Sequence, residues 1–163
     1  MSKPKLKIKL DTFDKVMETV GGLLLLLMVA YPAIQFSSVP DTIPVHFDAM
    51  GRPDRYGSKN SLWMISTIGI ILYLGMIVVN KFPHTFNYLT PITARNASRQ
   101  YGLATKMIRL LNVVIAAVFF AIIYGMIQTA LGYSTGLGAF ILPFTVAPVL
   151  IILGWYLYQA NQN

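Results

Sequence analysis

Residues 110–163 read LLNVVIAAVFFAIIYGMIQTALGYSTGLGAFILPFTVAPVLIILGWYLYQANQN, without a single Asp, Glu, Lys or Arg. About 20 apolar helical residues cross the hydrocarbon core of a bilayer. A run this long therefore predicts two membrane spans, and Gly132-Tyr133-Ser134-Thr135-Gly136 supplies the tight turn between them. Pro143 and Pro148 predict kinks in the second of the two.

Outward from this run, all 13 basic and 6 acidic residues fall within 3–18, 41–59 or 81–109. The uncharged gaps 19–40 and 60–80 each fit one further span. The chain has 163 residues, 55% hydrophobic and 12% charged, where a soluble domain carries about 25% charged residues. A soluble globule and a disordered chain are excluded on that composition, and the absence of cysteine excludes a disulfide scaffold.

The expected architecture is an all-α integral membrane protein. It comprises a basic arm 1–15, spans 16–36, 61–80, 108–131 and 137–158, an ordered outer loop 37–60, and a cytoplasmic loop with helix extension 81–107. Asp11 or Thr12 is expected to cap the first helix with Asp14 in its first turn, and Ser58 or Ser61 to cap the second. The Leu-rich first run is longer than a signal-peptide core and lacks a small-x-small cleavage site, so it reads as an uncleaved anchor.

Lys and Arg near spans are retained in the cytoplasm. Ten of them lie on the arm and the middle loop, three on the first loop and none on the last turn. Both termini are therefore expected inside and residues 37–60 outside. The net charge of +7 is accounted for by these flanking segments, so nucleic acid is not an expected partner.

No ionisable group stands near the middle of a span, which argues against a proton relay or an ion-coupled transporter. Gln35, Asn112 and Gln128 are expected to hydrogen-bond between helices. Ala117, Ala121 and Gly125 form a small-residue stripe suited to close packing within the bundle or to a homo-oligomer face. A helix capped by Thr93 and running from Ala94 to Leu131 would be about 57 Å long, so its first turns must project beyond the bilayer. On that projection Arg95, Arg99, Lys106 and Arg109 share one face, suited to anionic headgroups or to a cytoplasmic regulator. Ala97, Tyr101, Ala104 and Ile108 share the other.

The outer loop carries the most chemistry. Val45-His46-Phe47-Asp48 alternates like a strand, placing Val45 and Phe47 against the bundle and His46 and Asp48 on the free side. Three uses stand open. His46 and Asp48, with Asp41 or Asp54, suit a divalent metal, although no HExxH-like spacing supports one. His46 as a general base would require a nucleophile, and Ser58 and Ser61 are better explained as caps. In a hydrogen-bonded scaffold, Asp48 would hold the turn at Gly51 and Arg52 or Arg55 would pair with Asp54. The scaffold is the preferred reading, with no catalytic residue and no cofactor expected.

The stretch from Val39 to Lys59, VPDTIPVHFDAMGRPDRYGSK, resembles the outer-loop signature of the SdpI-type bacterial membrane family, whose amino-terminal module is catalogued as a domain of unknown function. Phe86-Asn87-Tyr88 and Asn96-Ala97-Ser98-Arg99-Gln100-Tyr101 look similar as well. The resemblance implies an inner-membrane protein conferring immunity to a secreted toxic peptide and, when occupied, holding a regulator at the membrane. It implies that Asp41, Pro44, His46, Asp48, Gly51, Asp54, Gly57 and Lys59 form the recognition surface. Fuller members add a second membrane module that this sequence does not show.

Overall fold

The computed structural model describes residues 3–162. Four helices, α1 (Thr12–Gln35), α2 (Ser61–Val79), α3 (Ala97–Ala130) and α4 (Ile141–Asn161), are each long and apolar enough to cross a membrane. Between α1 and α2 the chain forms an antiparallel hairpin of β1 (Thr42–Phe47) and β2 (Pro53–Ser58). The all-α expectation thus gives way at the loop, where the predicted short strand finds a partner.

The centre of the bundle is α3, which packs against α1, α2, β1 and α4. Its buried residues Ala116, Ile123, Met126 and Ile127 join Met28, Leu62 and Tyr73 in one core. Gln128 donates to the Tyr31 hydroxyl (2.7 Å) and Asn112 to the Tyr73 carbonyl (3.2 Å). Both are the interhelical bonds expected of those amides. Gly125 lets Leu137 approach so closely that a Cβ there would stand 2.2 Å from Leu137 Cδ2.

One tie between α1 and α2 follows from a proline. Pro32 lies inside α1, and without an N–H it frees the carbonyl four residues earlier. That carbonyl, on Met28, accepts instead from buried Ser66 Oγ of α2 at 2.8 Å. Ser66→Ala is expected to cost about 1–3 kcal/mol, the usual penalty for an unsatisfied buried acceptor. Pro32→Ala in the same chain should restore most of the loss by closing the bond within α1. Thermal unfolding in detergent measures both, and equal stability of Ser66→Ala and the parent would refute the assignment.

The helix ends refine the sequence reading. Asp11 caps α1 through a reciprocal box with Asp14, as expected. Neither Ser58 nor Ser61 caps α2. Its N-cap is Asn60, without a side-chain bond, because Ser58 is the last residue of β2 and accepts from the Asn60 N–H (3.2 Å), while Ser61 is already helical. Thr93 and Asn96 do bond each other's backbone N–H groups, but over a turn, and the regular helix starts at Ala97. With 34 residues α3 is about 51 Å long, still longer than a hydrocarbon core of about 30 Å. Pro143 falls in the first turn of α4, where its missing N–H has no acceptor to lose, so only Pro148 stands inside that helix.

The two ends of the bundle differ. The hairpin and the α3–α4 turn share one end. At the other, Arg99 donates to the carbonyls of Gln159 and Gln162 and Gln100 to that of Ala160, so the start of α3 satisfies the open carbonyls at the end of α4. The arm from Lys3 to Leu10 also lies at this end, its Pro4 carbonyl bonded by the Tyr101 hydroxyl (3.0 Å) and Lys3 bonded to the Phe86 carbonyl.

Candidate functional site

The hairpin is fastened at its base, along its buried side and at its tip. At the base Lys59 Nζ lies 3.0 Å from Asp41 Oδ1, 3.4 Å from the Val39 carbonyl and over the Phe36 ring. Ile43 and Val39 are fully buried in the core, with Val45 and Phe47 packed against it. Pro44 is buried too, breaking strict alternation, because the register slips between Pro44 and His46 and such a bulge re-aims the side chains beyond it. At the tip Gly51 adopts φ +74° and its carbonyl accepts from Leu137 N–H at 2.8 Å. Gly136 packs so tightly there that a Cβ would stand 2.1 Å from Gly51 O.

The polar residues expected to gather on one face are instead distributed as pairs along the hairpin. His46 Nδ1 lies 2.5 Å from Asp54 Oδ1. Asp48 Oδ1 accepts from the N–H groups of Met50 (2.8 Å) and Arg52 (2.9 Å), and Oδ2 from Arg52 Nε (3.0 Å). The Arg52 N–H, helped by its guanidinium and the Met50 N–H, holds the Asp48 carboxyl below the ordinary carboxylate range, so the tip keeps these bonds at neutral pH. Asp48 holds the turn at Gly51 as expected. The partner of Asp54 is His46 rather than Arg52 or Arg55, because Arg52 is taken up at the tip.

His46 and Asp54 meet, but Asp48 turns toward Arg52, and among the described residues no three His, Asp or Glu side chains converge as a metal would need. Exposed ion pairs of this kind contribute little stability each. Their effect is to fix where side chains stand. Met50 and Tyr56 of the hairpin and Tyr133 of the α3–α4 turn are 55%, 61% and 77% exposed, so this end displays large side chains beside a fixed polar ladder.

At the opposite end the basic stripe is engaged within the chain. Arg99 bonds the end of α4, and Lys106 pairs with Asp11. That Lys106 bond, ahead of the Asp14 N–H, lowers the Asp11 pKa. Arg109 donates from Nε to Glu18 (2.9 Å) and from Nη1 to Asp14 (3.3 Å). Asp14 is only 2% exposed. Arg95, in the turn before α3, is exposed. From sequence Asp11 and Asp14 read only as cap and first-turn residues, although Asp11, Asp14 and Glu18 fall on one helix face by their spacing of three and four. Tyr88 packs on Tyr101 with ring centres 5.5 Å apart and donates to the Pro83 carbonyl, so the two shorter stretches of the resemblance brace the arm end.

A family described as a domain of unknown function, DUF1648, matches residues 23–70, a segment that contains the whole hairpin with the second half of α1 and the first half of α2. An uncharacterized protein of the archaeon Archaeoglobus fulgidus is 29% identical over 84% of this chain and 83% of its own length. No solved structure matches.

Proposed function

We propose that this chain is a multi-pass binding protein of the cytoplasmic membrane, with the hairpin as an external recognition surface for a secreted peptide in the manner of SdpI-type immunity proteins. The observation that carries the reading is the exposure of Met50, Tyr56 and Arg52 on a hairpin held at base and tip. Tyr, Met and Arg are the side chains enriched where proteins bind one another. A surface already rigid loses little entropy on binding. The excess of Lys and Arg on the arm and the 81–109 segment supports placing that end in the cytoplasm. A regulator or anionic lipid there would meet Arg95 and the arm lysines, with Arg99, Lys106 and Arg109 already engaged.

Two measurements test this. In intact cells a single cysteine at position 56 should react with an impermeant label and one at position 7 only after permeabilisation; the reverse pattern would overturn the orientation. Expression in a bacterium sensitive to a secreted toxic peptide of the kind the family neutralises should raise survival. Met50→Ala with Tyr56→Ala should reduce that protection about tenfold or more, as loss of central contacts does, at unchanged membrane level. No protection by the parent chain would reject immunity.

A further inference from the structure

A cavity of about 770 Å³ opens at the arm end between α1, α2 and α3, within the range of about 300–1,000 Å³ typical of small-molecule sites. Its walls are largely apolar, with Met17, Met76, Ile77, Ile108 and Val113 among them. The arm lies along it, and Lys5-Leu6-Lys7-Ile8 contributes alternating cationic and apolar side chains. Lys81 joins Lys5 and Lys7 in its lining, and none of the three has a carboxylate partner among the described residues. The acid that also lines the cavity, Glu18, is paired with Arg109.

Two amides complete the site. Asn80 donates its Nδ2 to the Thr105 carbonyl of α3 (3.2 Å), and Asn112 of α3 returns the bond to the Tyr73 carbonyl of α2 (3.2 Å). Seven residues separate the two positions on each helix, so the rungs stand about 10 Å apart. A backbone carbonyl accepts and cannot donate, which fixes both amides with the nitrogen toward the neighbouring helix. Their Oδ1 atoms are left buried without a donor, and both residues line the cavity.

We propose that this cavity binds an anionic single-chain amphiphile from the adjacent leaflet. Its phosphate is held by Lys5, Lys7 and Lys81, a hydroxyl below the phosphate donates to the buried Oδ1 of Asn80, the residue just before Lys81, and its hydrocarbon lies against the apolar walls. Ammonium groups without counterions recognise the phosphate, the unpaired amide oxygen recognises the hydroxyl, and the alternating arm covers both. This site is independent of the hairpin and of the function proposed for it.

The test uses the full chain in a nonionic detergent and three probes of equal chain length. These are an acyl lysophosphatidic acid, the corresponding lysophosphatidylcholine, and an alkyl phosphate without a hydroxyl, with binding read by native mass spectrometry and competition. The lysophosphatidic acid should bind about tenfold tighter than the choline lipid, on the scale of surface lysine–lipid attraction. It should bind about three- to tenfold tighter than the alkyl phosphate, the worth of one hydrogen bond. Lys5→Gln, Lys7→Gln and Lys81→Gln together should abolish the first preference, and Asn80→Leu the second. The lysine variants alter exposed side chains, so their result stands even where Asn80→Leu disturbs the helix contact. Equal binding of the three probes by the parent chain, an unaltered charge preference in the lysine variant, or competition by inorganic phosphate alone at equal concentration would overturn the proposal.

Discussion

Arg109→Met is expected to lower the stability of the bundle by about 3–5 kcal/mol, the cost of leaving a buried charge without its partner. Asp14 is 2% exposed and the Arg109 side chain 11%, so neither is rescued by water when the other is removed. The remaining bond to the Asp14 carboxylate comes from the Asp11 N–H at 3.0 Å, which does not neutralise it. Asp14→Asn in the same chain should recover most of the loss, because an amide oxygen still accepts at the cap while the uncompensated charge is gone. Glu18→Gln should cost no more than about 1 kcal/mol, since that carboxylate is 46% exposed and screened by solvent. Unfolding of the parent, Arg109→Met, Asp14→Asn and the double variant in one detergent gives the coupling directly. An Arg109→Met protein as stable as its parent would mean that Asp14 is solvated.

The second large effect belongs to the hairpin tip. Gly51→Ala should detach the tip from the α3–α4 turn, whereas Gly132→Ala should leave it attached. The two glycines have nearly the same left-handed backbone, φ +74° and +78°, so the conformational penalty, about 1–3 kcal/mol, is common to both. They differ in space. A Cβ on Gly51 would stand 2.4 Å from Gly138 O and 2.7 Å from Gly138 N, both rigid backbone atoms, while a Cβ on Gly132 meets nothing within 4 Å. Gly51→Ala should therefore speed amide exchange at Leu137 by about a hundredfold or more, as a lost hydrogen bond and an opened contact require. Gly132→Ala should leave that rate near the parent value. Equal rates in the two variants would show that the contact is not what holds the tip.

The sequence showed the spans clearly because lipid selects on composition alone: a run without charge needs no knowledge of its neighbours. The hairpin was half visible. Val45-His46-Phe47 alternates, but the register slip that buries Pro44 beside Ile43 depends on how β2 meets β1. Asp48 was legible because its partners are two and four residues away, whereas the pairing of His46 with Asp54 depends on which arginine the turn consumes. At the arm end Lys106 and Arg109 read as an outward stripe because the acids that face them are more than 90 residues distant. Arg99 read the same way, since the carbonyls it satisfies belong to the end of α4. The Met28 carbonyl that Pro32 frees and its Ser66 donor were hidden for the same reason: each is unremarkable until the two helices are side by side.

The distance along the chain between Asp14 and Arg109, 95 residues, sets an order of events during synthesis. When α1 leaves the ribosome its carboxylate has no counterion, and none arrives until the third helix has been made. For that interval Asp14 is expected to remain in contact with water, keeping the start of α1 high in the interface. The first helix then reaches its final depth only when the third comes to meet it, so maturation waits on a late segment rather than proceeding helix by helix.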